Sequence, residues 1–243
     1  MIKPLFRNII LKCASYYYNN RDSKVFFYHD LHVKKAVTEM STPLEKFKEH
    51  LSVIRAEGFA IVADITRSSE QVKIQFDDGF KGIYDCYPYI KENKIPIEIF
   101  VISEDINTEG FLSLAQIKEL GKDELIRISS HTHTHPELGL CSDDQIREEL
   151  TKSKEILEKR IGQEVRALCY PKGSFSKHVV AIAKDLGYTE QYSSLPGSFS
   201  QEIFPNVFRR NLLQYASVSE VKSALRGAHQ MFFKKYWNRQ FVR

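Results

Sequence analysis

The chain has 243 residues, 42% hydrophobic and 27% charged, which is enough apolar material to bury a core and excludes a disordered or fibrous protein. The net charge of +4 is unevenly spread: residues 1–24 carry +4 and residues 226–243 carry +5, leaving the middle at −5. No stretch approaches the roughly 18 consecutive apolar residues of a spanning helix. The first 24 residues show no small-residue cleavage site of a secretory signal, and Cys13, Cys86, Cys141 and Cys169 form no disulfide framework, so a cytoplasmic protein is expected.

In chain order, residues 25–28 read as a first strand. Ser41-Thr42-Pro43 then opens a helix with Leu44, Phe47, Leu51 and Ile54 on one stripe, closed by Gly58. Strands follow at 59–65 and 72–76 around a turn at 66–71, then a helical stretch near 80–93 and a strand at 95–102. A short helix near 114–120 precedes a strand at 125–129. Ser142 with Gln145 resembles a capping box for a helix running to about residue 160. Beyond it come a strand at 165–170, a helix near 177–186 ended by Gly187, strands at 188–193 and 207–213, and a helix near 218–225. Alternation of this kind predicts an α/β fold with a mostly parallel sheet, closed into a barrel or doubly wound. The basic ends are interleaved with Tyr16, Tyr17 and Tyr18 and with Phe232, Phe233, Tyr236 and Trp237. They suit peripheral contact with an anionic membrane, approach to an acidic glycan, or plain solvated and frayed termini; with no nucleic-acid module visible, no nucleic-acid partner is expected.

The informative polar residues all follow predicted strands: His29 the first, Asp77 and Asp78 the strand 72–76, His131 and His135 the strand 125–129, and Tyr170-Pro171-Lys172-Gly173 the strand 165–170. In a parallel barrel the loops leaving the strands converge on one rim, where active sites lie. Adjacent carboxylates repel one another, so Asp77 and Asp78 call for a cation or for water; an Asp-Gly turn with solvated acids is the competing reading. His131-Thr132-His133-Thr134-His135 changes that balance, because the outer two imidazoles can converge on one ion. Two imidazoles and one carboxylate leave a coordination position for water, the arrangement of a catalytic zinc. His133 is not expected to be a ligand.

Phe76-Asp77-Asp78-Gly79, His131 to Pro136 and Tyr170 to Gly173, in this order and at this separation, resemble the first three motifs of the polysaccharide deacetylases with a NodB-homology domain. The likeness runs from about residue 25 to 213, and Ile95, Pro96, Phe100, Val101 and Gly187-Tyr188 fit it. It implies an incomplete, distorted parallel (β/α) barrel over residues 25–225, with 1–24 a basic N-terminal extension and 226–243 a basic aromatic tail. It also implies Asp77 as base, with Asp78, His131 and His135 holding a divalent metal, zinc first and cobalt, nickel or manganese next. The reaction implied is hydrolysis of an N-acetyl (or O-acetyl) group on an amino sugar in a glycan, glycolipid or precursor.

The residues are chemically suited to that role. A metal lowers the pKa of its water, Asp77 accepts the proton, and the resemblance implies the backbone N–H of Lys172, at the position matching the family's third-motif aromatic residue, as a donor to the oxyanion beside the metal. Two departures from the family pattern bear on the site. No Leu-x-His follows residue 213, but Phe27-Tyr28-His29 resembles relatives acting on poly-N-acetylglucosamine, whose corresponding His lies at the start of the domain. His29 is therefore the candidate acid, against a reading as a partly buried or turn histidine. The family arginine two residues before the motif proline is here Cys169. Arg210 is the candidate replacement, Arg166 a weaker one, and a basic surface pair with Arg209 the alternative. Lys172 stands where an aromatic residue is usual. Two other classes fit less of the pattern: an amidohydrolase-type enzyme, whose paired histidines belong on the first barrel strand, and a metal-free glycan-binding or scaffold protein of the same fold.

Overall fold

The computed structural model describes residues 4–240; Lys3, Arg243 and the side chain of Arg239, counted above with the basic ends, lie outside the described residues. At the centre, among the described residues, is a sheet of nine parallel strands: β1 (Lys24–Tyr28), β4 (Ala60–Ile61), β5 (Gln71–Phe76), β6 (Ile97–Val101), β7 (Ile126–Ser130), β8 (Ala167–Cys169), β9 (Glu190–Tyr192), β10 (Val207–Phe208) and β11 (Asn211–Leu212). They run in the order β10-β9-β8-β7-β6-β5-β1-β11, with β4 also on β5. Every residue of β1, β5 and β6 is buried. Both faces of a parallel sheet are covered, which explains why even the polar Gln71, Lys73, Gln75 and Glu98 of these strands are buried. Two further short strands, β2 (Asp30–His32) and β3 (Ser41–Pro43), pair separately.

The predicted strand at 207–213 is divided. β10 pairs with β9 and β11 with β1, at opposite edges of the sheet, with only Arg209 and Arg210 between them. The barrel is thus incomplete, and the chain crosses its seam at the two arginines. The backbone N–H of Arg210 bonds the Leu195 carbonyl there instead of continuing a ladder.

The helices α2 (Leu44–Ala56), α5 (Leu114–Leu120), α6 (Asp143–Ile161), α7 (Lys177–Asp185) and α8 (Val218–Leu225) lie close to their predicted places. The α2 stripe is buried, and Ser142 and Gln145 form the reciprocal capping box of α6. Ser41-Thr42-Pro43 is not the start of a helix but the strand β3, paired to β2. The stretch 80–93 divides into α3 (Gly82–Asp85) and α4 (Tyr87–Glu92), because Pro88 has no N–H with which to carry one ladder through. The predicted strand 59–65 pairs only at Ala60–Ile61. Beyond it, the Gln71 side-chain oxygen accepts from the N–H groups of Thr66 and Arg67 and ties the 66–71 turn.

Among the described residues, those nearest both ends of the chain are helical. Residues Pro4–Tyr18 form a helix, α1, that packs on α8 and on the one-turn helix Ala228–Phe232, which leads into α9 (Phe233–Gln240). Lys24, counted among the basic N-terminal residues, is buried as the first residue of β1, and its ammonium is held by the Asn20 side chain and the Asp22 carbonyl. Burial lowers its pKa to about 8.

Gly82 marks a close approach between α3 and β2. A Cβ there would lie 2.1 Å from the Leu31 carbonyl oxygen and 2.5 Å from an Asp30 carboxylate oxygen. Gly82→Ala is expected to cost about 1–3 kcal/mol by overpacking, read as a lower midpoint in chemical denaturation; an unchanged midpoint would show that β2 shifts freely.

Candidate active site

The sheet brings the predicted residues to one rim because each follows a strand in the same direction. His29 and Asp77 leave β1 and β5, neighbours in register at Tyr28 and Phe76. His131 leaves β7, which pairs with β8 at Ser130 and Leu168. Together with Arg210 from the seam they line a cleft of about 940 Å³, whose walls also include Asp78, His135 and Lys172. Non-glycine residues in the left-handed region concentrate here: Asp78 (φ 73°), Thr132 (φ 67°), His135 (φ 62°) and Lys172 (φ 53°). Strained backbone of this kind persists where surrounding contacts fix it, typically at functional sites. Thr132, fully buried, fixes the second loop by accepting the His135 N–H on its hydroxyl.

Asp78 Oδ1, His131 Nε2 and His135 Nε2 form a triangle. Its edges are 3.3 Å from Asp78 to His131, 3.6 Å from Asp78 to His135 and 3.2 Å between the two imidazole nitrogens. Three ligand atoms each about 2.0–2.1 Å from one tetrahedral ion would be separated by roughly 3.3 Å, so these residues fit a zinc-sized cation. His131 Nδ1 bonds the Cys169 carbonyl at 2.8 Å, which leaves Nε2 to face the triangle. Burial disfavours an imidazolium at His131, but Cys169, Asp78 and Asp77 around it more than offset this and raise its pKa well above the histidine range. Burial and the adjacent His131 charge push His135 down to about 4. A second grouping, Asp77, His131 and Cys169, also has its ligand atoms within 4.8 Å of one another. It suits a cation less well, because the Arg210 guanidinium already occupies Asp77 and Cys169.

Arg210 is wholly buried, not one of a basic surface pair. Its Nη1 and Nη2 donate to Asp77 Oδ1 and Oδ2 at 2.7 and 2.8 Å, a bidentate pair, and Nη2 lies 2.8 Å from Cys169 Sγ. The guanidinium is centred 4.2 Å from the Phe27 ring. Burial would raise the Asp77 carboxyl, but the charge and hydrogen bonds of Arg210, helped by His131 and His29, hold it at about 2. Arg209 packs instead on the Phe233 ring at 4.0 Å, and Arg166 pairs with Glu164 on the exposed surface. Cys169 thus leaves room for an arginine that arrives from the seam.

His29 is half-buried in the cleft wall, its Nδ1 hydrogen-bonded to the Gln214 side-chain oxygen. Gln214 follows β11 and so obeys the same strand-end rule as the motif residues; that position was its only sequence signal. Lys172 stands at the cleft rim in the Pro171–Gly173 turn, its ammonium 3.1 Å from Glu137. His133 is outside the triangle: its Nδ1 meets the Ser103 hydroxyl at 2.8 Å, and Glu149 accepts the N–H groups of His133 and Thr134. His229 lines the cleft but is tied to Glu220 at 3.1 Å.

A parallel curled half-barrel with two carboxylates and two histidines on its rim is the architecture of a carbohydrate deacetylase, and the comparisons place the chain in one family. The polysaccharide deacetylase family model matches residues 64–191, more than half of the chain, and the chain belongs to that family. It is 26% identical over 189 residues to YxkH of Bacillus subtilis, provisionally named a polysaccharide deacetylase, covering 73% of this chain and 66% of that protein. The poly-β-1,6-N-acetyl-D-glucosamine N-deacetylase of Staphylococcus aureus N315 is 29% identical over 136 residues, 50% of this chain and 47% of that protein. The chain therefore spans about two thirds of the first of these relatives and about half of the second. A polysaccharide deacetylase from Bacillus cereus shares the fold with a TM-score of 0.73 at 24% identity, over 84% of this chain and 69% of that one.

Proposed function

We propose that the chain is a divalent-metal-dependent hydrolase that removes the N-acetyl group from an amino sugar of a glycan or glycan precursor. The observation that carries this reading is the Asp78–His131–His135 triangle with a second carboxylate, Asp77, held ionised beside it by Arg210. Asp78, His131 and His135 would hold the ion, zinc first by its mixed nitrogen and oxygen donors, with cobalt, nickel or manganese as substitutes. When bound, it would activate a water molecule and polarise the acetyl carbonyl.

The protein's own groups move the protons. Asp77 accepts one from the attacking water, and Arg210 grips both its oxygens so that the acceptor is fixed in direction before substrate arrives. The water oxygen bonds the acyl carbon, the carbon–nitrogen bond breaks, and the departing nitrogen takes a proton from His29. Gln214 holds the His29 ring for that transfer. The Lys172 N–H, on the turn at the cleft rim, donates to the acyl oxygen as charge develops there. Acetate and a free amine result. The name of the S. aureus relative makes β-1,6-linked N-acetylglucosamine oligomers the first substrate to try. Acetate released from them by zinc-loaded protein would support the reading; no release from these or from other N-acetylated amino sugars would refute it. His29→Ala is expected to keep its zinc and lose about 10²-fold in kcat. An unchanged rate would give the acid role to another group.

A further inference from the structure

Helix α1 turns opposite faces to two environments. Leu11 and Ser15 are buried, whereas Phe6 (59% exposed), Ile9 (52%), Tyr16 (68%) and Tyr17 (83%) face outward. At 100° per residue these four and the exposed Cys13 fall within one arc of about 100°, opposite Leu11 and Ser15. The outward stripe of this helix is therefore apolar, the reverse of an ordinary surface helix. Its electrostatic setting is one-sided. Neither α1 nor residues 226–243 contain an acid. Arg7, Arg21 and Arg226 are engaged by Glu220, Glu70 and Glu57, but Lys12 on α1 and Lys234 and Lys235 on α9 are exposed and have no ion-pair partner among the described residues. With 15 residues, α1 is about 22 Å long, too short to cross a bilayer and long enough to lie in its interface.

We propose that the outward face of α1, with Lys12, Lys234 and Lys235, docks the protein on an anionic lipid bilayer. Apolar side chains bordered by the unneutralised Lys12, with the exposed Lys234 and Lys235 of α9 adding positive charge to the protein, complement a surface with acyl chains beneath anionic headgroups. The docking helix is also part of the cleft: Arg7 and Asn8 of α1 and Tyr236 of α9 line its wall. Arg7 and Asn8 lie about 130° around the helix from the middle of the docking stripe, so the bilayer would seat on the side of α1 away from the cleft wall.

Vesicle flotation tests the docking. The full chain is expected to float with phosphatidylcholine vesicles containing about a third phosphatidylglycerol, to float less at high salt, and to bind pure phosphatidylcholine weakly. Ile9→Glu with Tyr17→Glu should lower the bound fraction about tenfold or more without moving the melting temperature or acetate release from soluble oligomers. Lys234→Glu with Lys235→Glu should weaken binding to the anionic vesicles only. Absence of binding by the unaltered chain, or undiminished binding by Ile9→Glu with Tyr17→Glu, would overturn the proposal. A doubled mass in solution abolished by those same substitutions would overturn it too, by showing that a second copy covers the face. Acetate release persisting without vesicle binding would refute docking and leave the catalytic reading intact.

Discussion

Asp78→Ala and His131→Ala chains are expected to fold, to retain less than about a tenth of the zinc of the unaltered protein, and to release acetate about 10³-fold more slowly. The magnitude is the several kcal/mol of transition-state charge stabilisation that a bound Lewis acid supplies. Each substitution removes one corner of a triangle whose edges are 3.2–3.6 Å, and two corners hold a cation poorly. Folding should survive, because both residues lie just past the ends of β5 and β7, in the cleft wall, and not within the strands that carry the core. The His131 proton gives a second signature. In the metal-free protein His131 keeps its proton well above the ordinary histidine range, so zinc must displace it. Zinc affinity should rise with pH in the unaltered chain, and that slope should flatten in His131→Ala. Full zinc content and rate in either variant would show that the triangle is not the metal site.

Arg210→Met should have the largest effect on stability. Asp77 is 3% exposed, and the substitution leaves its carboxylate buried without the guanidinium that holds both oxygens. Breaking a buried pair in this way costs about 3–5 kcal/mol, a fall of roughly 10 °C in melting temperature for a chain of this length. The pH dependence follows from the direction of the Asp77 shift. Its carboxyl is depressed to about 2 in the folded protein, so this stabilisation is present above the ordinary carboxylate range and fades as pH falls from about 4 toward 2. In Arg210→Met only burial acts on Asp77 from that side, which raises its pKa. The gap in stability between the two proteins should therefore be widest at neutral pH and narrow in acid, and the acid limb of the rate profile should move upward. Arg210→Lys restores the charge but not the two-pronged contact, and is expected to recover part of the stability and less of the rate. An unmoved acid limb in Arg210→Met would contradict the assigned role of Arg210.

The parts of this fold legible in the sequence were those written locally. The mostly apolar runs of β1 and β6, the stripe of α2 and the Ser142–Gln145 capping box each follow from neighbouring residues. The rim residues were legible because each follows a strand, and the position of Gln214 obeys the same rule. What was not legible depends on contacts distant in the chain. Nothing in the run at 207–213 states that its two halves join opposite edges of the sheet, since that division is set by the closing of a barrel around Arg210. Likewise the charge of Arg7 and Arg226 reads as a basic surface until Glu220 and Glu57 are brought against them. In β5 and β6 the sequence shows Lys73 and Glu98 within apolar strands without showing that they meet. Both are buried, and their ion pair spans 2.9 Å.

Dependence of the hydrolysis on an ion in the triangle is tested by the rate of acetate release from N-acetylated β-1,6-glucosamine oligomers by chelator-stripped protein, before and after addition of one equivalent of zinc. A negligible rate before addition, full activity after it, and no recovery in Asp78→Ala are the results expected from that dependence. Equal rates with and without metal would contradict it, because Asp77 and His29 would then carry out the hydrolysis without an ion in the Asp78–His131–His135 triangle.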